Sequence, residues 1–72
     1  MTSPKPTLLD TVALLRDYEP MGLIQGQVGA VVELLGDDQA LVEFCDSNGE
    51  TYAMPTLPMS ALLRLAYERV AA

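Results

Sequence analysis

Gly26 to Leu35 reads GQVGAVVELL and is followed, after Gly36-Asp37-Asp38, by Gln39 to Cys45, QALVEFC. Two runs rich in β-branched and aromatic residues, separated by a short polar connection with a glycine, predict a β-hairpin. The hairpin is expected to form the centre of a small barrel. Side chains alternate along a strand, so the charged positions decide which face is wet. With Glu33 and Glu43 outward, Val28, Ala30, Val32 and Leu34 fall on the inner face of the first strand. Ala40, Val42 and Phe44 fall on that of the second. The outer face then carries Val31, Leu35, Leu41 and Cys45, too apolar a set to meet water alone.

A chain of 72 residues supports one domain, and a domain of that size buries only about 60% of its unfolded surface. Small scaffolds supplement such a core with disulfides, metals or association. The single Cys45 makes no internal disulfide, and the absence of histidine removes the usual zinc ligands. Association is therefore the expected supplement, through Leu15, Val31, Leu35, Leu41 and Cys45. A homo-oligomer follows from this reading.

Ten acidic against four basic residues give a net charge of −6, the wrong sign for gripping a phosphate backbone. Direct nucleic-acid binding is not expected, and a basic protein is the partner the charge favours. No apolar run approaches the roughly 20 residues that span a bilayer, and the amino terminus lacks a signal-peptide pattern. No membrane association and a cytoplasmic location are the expectation.

Pro4 and Pro6 flank Lys5 in a segment, residues 1–7, that reads as an extended tail with no means of packing. Leu8 to Asp17 has the apolar count of a short helix, but Thr11 to Leu15 between Asp10 and Asp17 also reads as a strand, the preferred reading, with Val12 and Leu14 inward. Tyr18 to Gln25 contains Pro20 and Gly22 and reads as a long loop, with Leu23 or Ile24 plugging an open end of the barrel. Asp46-Ser47-Asn48-Gly49-Glu50 is a second hairpin turn, leading into a strand over Thr51 to Met54 that Pro55 terminates. Thr56 to Ser60 reads as a turn, with one turn of 3-10 helix. Ala61 to Ala72 reads either as a last strand through Leu62 to Leu65 or as a helix capped by Ser60 with apolar Leu62, Leu63, Ala66, Tyr67 and Val70; a short strand over about Leu62 to Leu65 followed by a helical end is the preferred reading.

Five short strands in this arrangement describe a mainly β fold, an SH3-like barrel over residues 8–66 with a C-terminal extension at 67–72. The order Leu9-Asp10-Thr11-Val12-Ala13-Leu14, Gly22-Leu23, Gly26 to Glu33, Val42-Glu43-Phe44, Asp46 to Thr51 and Leu57-Pro58 resembles an uncharacterised bacterial family of short proteins. That family is carried as a domain of unknown function and is similar in outline to the SH3-like barrel of the nitrile hydratase β subunit. The resemblance implies a fold rather than an activity. Members often lie in mobile or toxin-associated gene contexts, which implies an accessory, antitoxin-like or immunity-like role.

No Ser-His or Cys-His pair can be built without histidine. Cys45 has Glu43, Asp46 and Glu50 nearby in sequence, neighbours that oppose thiolate formation, so it reads as a packing residue. The Asp46 turn lacks the spaced ligands and distant glutamate of a calcium loop, and Gly26 and Gly29 lack the lysine and helix of a phosphate loop. No cofactor is expected. The two glycines read as points where a strand bends or a neighbour packs close. Tyr18 and Tyr52, with Asp37 and Asp38 in the turn, are the candidate edge of a partner site. Two functional readings follow: a non-catalytic interaction module that self-associates and binds a basic partner, and a ligand-binding or enzyme-subunit-like barrel with a pocket between protomers.

Overall fold

The hairpin read from Gly26 to Cys45 is the spine of the molecule, which a computed structural model describes over residues 5–65. Its strands are β2 (Val28–Leu35) and β3 (Gln39–Cys45), and Gly36, at φ +69°, turns the chain between them. An L side chain at that φ meets its own backbone, which is why glycine stands there. On the far side of β2 lies β1 (Thr11–Leu14), and beyond it β6 (Leu62–Arg64). Beyond β3 lie β4 (Thr51–Ala53) and β5 (Thr56–Pro58). The sheet runs β4-β3-β2-β1-β6, every pairing antiparallel, with β5 also on β3.

The fold is mainly β, as expected, with six strands rather than five; its only helical elements among the described residues are two 3-10 turns, Glu19–Met21 and Met59–Ala61. The extra strand is β5, in a stretch the sequence reads as a turn because prolines stand at 55 and 58. It pairs the first half of β3, Gln39 to Leu41, while β4 pairs the second half at Phe44 and Cys45. Between them the Val42 amide donates to the Pro55 carbonyl at 3.0 Å. Residues 51–58 thus make one partner for β3, broken at Met54 and Pro55. Proline is tolerated there because the segment lies at the sheet's edge and needs fewer donors.

One face of the sheet carries the core. Val12, Val31, Ala40, Val42 and Phe44 are fully buried, and Leu14, Leu57 and Leu62 nearly so. Burying each of the larger side chains contributes about 1.5–3 kcal/mol. The loop between β1 and β2 supplies the lid: Tyr18 and Leu23 exchange backbone hydrogen bonds at 2.8 and 3.1 Å, and Gly22 turns the chain at φ +66°. Leu23 is driven into the core while Ile24 stays 61% exposed, which settles the choice between them.

The expected faces of β2 are reversed over its first half. Thr11 pairs Ala30, Val12 pairs Gly29, and Val31 pairs Val42, but the next pair is Glu33 with Leu41. Val32 is an extra residue on β2, a bulge, and each such residue shifts the alternation by one. After the bulge the expected parity returns, with Leu34 opposite the buried Ala40, but at this end of the hairpin Leu34 itself is 41% exposed and its expected burial is not met. Before it, Gly29 and Val31 face the core, and Val28 and Ala30 face outward. Anchoring the whole strand on Glu33 carried the correct parity of one half into the other. Val31, expected on the association surface, is a core residue at 0% exposure.

Gly29 is where β2 and β3 come closest. A Cβ added there would lie 2.8 Å from the Glu43 carbonyl oxygen, 2.9 Å from Val42 Cγ1 and 3.0 Å from Phe44 Cδ1. The expectation that a neighbour packs close against this glycine is met. Pro6 is buried, so the last residues of the supposed tail do pack. The helical end and the extension at 67–72 lie outside the described residues.

Candidate functional site

At one end of the sheet the β2-β3 turn, the N-terminal segment and the second 3-10 turn meet around a cleft of about 440 Å³. Its lining is Lys5, Pro6, Asp37, Asp38, Pro58, Met59, Ser60 and Leu62. Three backbone features hold it. Gly36 sets the turn that presents Asp37 and Asp38 side by side. The Met59 amide donates to the Asp38 carbonyl at 2.8 Å, pinning the 3-10 turn to the hairpin. Pro58 closes β5 opposite Gln39. Lys5 Nζ reaches the Asp37 carbonyl at 3.4 Å. Among the described residues neither the Asp37 nor the Asp38 carboxylate has a hydrogen-bond or ion-pair partner. The cleft combines an apolar floor with a carboxylate rim, a volume within the range of small binding pockets.

A second polar cluster centres on Asp10. Its Oδ2 accepts from the Thr7 amide at 2.7 Å, from Thr7 Oγ1 at 3.0 Å and from Arg64 Nε at 2.9 Å. The Thr7 amide, which stabilises the ionised form, is the main cause holding the Asp10 carboxyl below its usual 3.8; partial desolvation opposes it, and the Thr7 hydroxyl and Arg64 assist. The Leu9 amide donates to the Val31 carbonyl and the Val31 amide to the Asp10 carbonyl, at 2.8 and 2.9 Å. Asp10 therefore joins the entry to β1, the middle of β2 and the end of β6. This is a structural clasp, and its local signal in sequence is Thr-x-x-Asp at residues 7–10.

The expected partner-site residues do not form one group. Asp37 and Asp38 line the cleft. Tyr18 packs against the core from the β1-β2 loop. Tyr52 is 50% exposed, its hydroxyl accepts from Gln27 Nε2 at 2.9 Å, and its ring lies tilted 6.4 Å from that of Phe44. Cys45 is exposed, with Sγ 3.7 Å from Thr51 Oγ1, which itself donates to Glu43 Oε2 at 2.7 Å. Asp46 Oδ1 accepts the amides of Asn48 and Glu50 at 2.8 and 3.0 Å, so this carboxylate serves its turn. Among the described residues there is no group of three or more His, Cys, Asp or Glu placed to hold a metal ion.

The outer apolar surface lies elsewhere than expected. Leu63 pairs Ala13 and Ala13 pairs Val28, a row crossing β6, β1 and β2 on the face opposite the core. Leu63 is 38% and Val28 45% exposed, and Leu15, one alternation beyond Ala13, is 45% exposed. Of the expected association residues Leu15 and Cys45 are exposed, Leu35 and Leu41 are half-buried, and Val31 is lost to the core. The sequence missed Val28 and Leu63 because the bulge hid the parity of one and the pairing of β6 with β1 is non-local.

These features describe a small antiparallel β domain with a mixed apolar and acidic cleft at one end and an exposed apolar row on its outer face. The chain belongs to the DUF4926 family, a domain of unknown function, whose pattern spans residues 8–64. No curated protein and no solved structure matches the chain. Among the described residues no helix is long and apolar enough to cross a membrane.

Proposed function

We propose that this protein is a non-catalytic interaction module that binds a basic protein and self-associates. The observation that carries the reading is its unneutralised acidic surface. Asp17, Glu19, Glu33, Asp37, Asp38, Asp46 and Glu50 are all exposed, and among the described residues the one ion pair is Asp10 with Arg64. A surface of one sign speeds encounter with a partner of the other and rejects like-charged ones. The row of Leu63, Ala13 and Val28, with Leu15, supplies a separate apolar patch for a second copy.

The finer fold reading is an SH3-like barrel of a bacterial accessory protein. Its support is the link between edges: β6 ends the strand order and β5 pairs β3 near its other end, yet only Met59–Ala61 joins them. At about 2 Å per residue such a turn spans roughly 6 Å, which favours a sheet curled until its edges approach. An antitoxin-like or immunity-like role in a mobile-element context, acting in the cytoplasm, fits the acidic charge.

The test is capture and reconstitution. Immobilised protein should retain a basic protein from the source cytosol at low salt and release it at about 0.5 M salt, where screening is nearly complete beyond a few ångströms. The purified partner should then bind with the same salt dependence. Binding insensitive to salt refutes an electrostatic partner, and a monomer by light scattering at high concentration refutes self-association.

A further inference from the structure

We infer that the cleft between the β2-β3 turn and the second 3-10 turn is the peptide-docking site, taking an extended basic segment in which an arginine or lysine adjoins an aliphatic side chain. The inference rests on the basic-partner reading above and names the place and the recognised chemistry.

Asp37 and Asp38 stand together at the tip of the hairpin, both exposed, with no partner for either carboxylate among the described residues. Neighbouring carboxylates at a rim suit a guanidinium, whose planar fork meets them with paired, charge-assisted hydrogen bonds. Pro6, Pro58, Met59 and Leu62 form the rest of the wall. Pro6 is buried and Leu62 is 6% exposed, so much of this surface is fixed by the fold. Met59 is the adaptable element, unbranched and only partly buried against the core. A cation alone would leave that apolar floor wet, and an aliphatic group alone would leave the carboxylates unused. A segment carrying both uses both.

Lys5, the chain's own ammonium, already lies at this rim, against a backbone carbonyl rather than either carboxylate. Lys5 Nζ sits at the Asp37 carbonyl, at the long distance of 3.4 Å. That contact is weak by hydrogen-bond geometry and places a positive charge where an incoming cation would go. Lys5 therefore competes with the ligand, and removing its charge strengthens binding.

The probe is a fluorescein-labelled, amidated peptide, Gly-Arg-Leu-Arg-Leu-Gly, titrated by anisotropy at low salt and mapped by amide chemical shifts on isotopically labelled protein. Shifts are expected at Asp37, Asp38, Met59, Ser60 and Leu62. The double variant Asp37→Asn with Asp38→Asn should bind about tenfold or more weakly, in line with losing charge-assisted bonds. Lys5→Ala should bind about two- to threefold more tightly. Replacing leucine by serine in the peptide should weaken binding several-fold. Both aspartates are exposed turn residues that accept from Lys5 and Met59, among the described residues, through their backbone carbonyls, so the double variant keeps its fold, checked by its melting curve. Shifts centred elsewhere, no binding, equal binding of the serine peptide, or an unaffected double variant each overturn the cleft assignment. If the captured basic partner also binds the double variant unchanged, the cleft fails while the basic-partner reading stands. If no salt-sensitive partner exists, the reading fails with it.

Discussion

Replacing Gly29 by alanine adds one methyl group at the tightest point of the sheet. Its carbon would stand 2.8 Å from the Glu43 carbonyl oxygen and 2.9 and 3.0 Å from Val42 Cγ1 and Phe44 Cδ1. Ordinary carbon-oxygen contacts begin at about 3.3 Å, so β2 and β3 must part by roughly half an ångström. The backbone oxygen cannot swing aside as a side chain would, and Val42 and Phe44 are fully buried. Overpacking of this kind costs about 1–3 kcal/mol. Alanine recovers about 0.5–1 kcal/mol of the entropy that glycine loses on entering a strand. The net loss is about 0–2.5 kcal/mol, about 1 kcal/mol at the centre of the two ranges, against a total of roughly 4–11 kcal/mol for a domain of this length. Urea unfolding followed by far-ultraviolet dichroism reads it directly. With a slope near 1 kcal/mol/M, the midpoint falls by about 1 M while the slope stays unchanged. A midpoint equal to or above that of the wild type would refute the inference that this contact sets the β2-β3 spacing.

Val31→Ala should cost about 2–3 kcal/mol, because the lost methyl groups leave a cavity in the core. Val28→Ala, on the outer face, should change stability by less than about 0.5 kcal/mol. Urea midpoints that reversed this order would place the bulge wrongly. Asp10 predicts a pH dependence. Its folded carboxyl titrates below the unfolded value of 3.8, so its contribution is present above that pH and disappears as pH falls through the folded titration. Asp10→Asn should therefore be less stable than the wild type at pH 7, with the gap closing under strong acid, as measured by urea midpoints at both pH values. Val28→Glu and Leu63→Glu should stay folded and shift the light-scattering mass toward the monomer, whereas Leu41→Glu, half-buried beside β5, should mainly destabilise.

Which parts of this fold were legible from sequence depends on how local their causes are. Val12, Leu14, Ala40, Val42 and Phe44 alternate along unbroken strands, and the alternation alone places them inward. Gly36 and Gly49, at φ +69° and +81°, mark both hairpin turns as a sequence reading expects. The bulge at Val32 has no local mark, since Val31 and Val32 are equally apolar and only the register against Val42 and Leu41 reveals the extra residue. β5 was hidden by its prolines, which are allowed in a strand only once its place at an edge is known. Asp37 and Asp38 were legible as turn residues, but not as the rim of a cleft, because Pro6, Met59 and Leu62 come from distant parts of the chain.

The three strands at the sheet's margins, β4, β5 and β6, are each three residues long. A margin so short, and interrupted by a proline on one side, gives an approaching chain few amides and carbonyls in sequence to zip against. Ribbon-like growth from end to end is thereby discouraged, even though half the residues are hydrophobic. Any association between copies is thereby steered away from edge pairing and toward contacts of side chains, face against face.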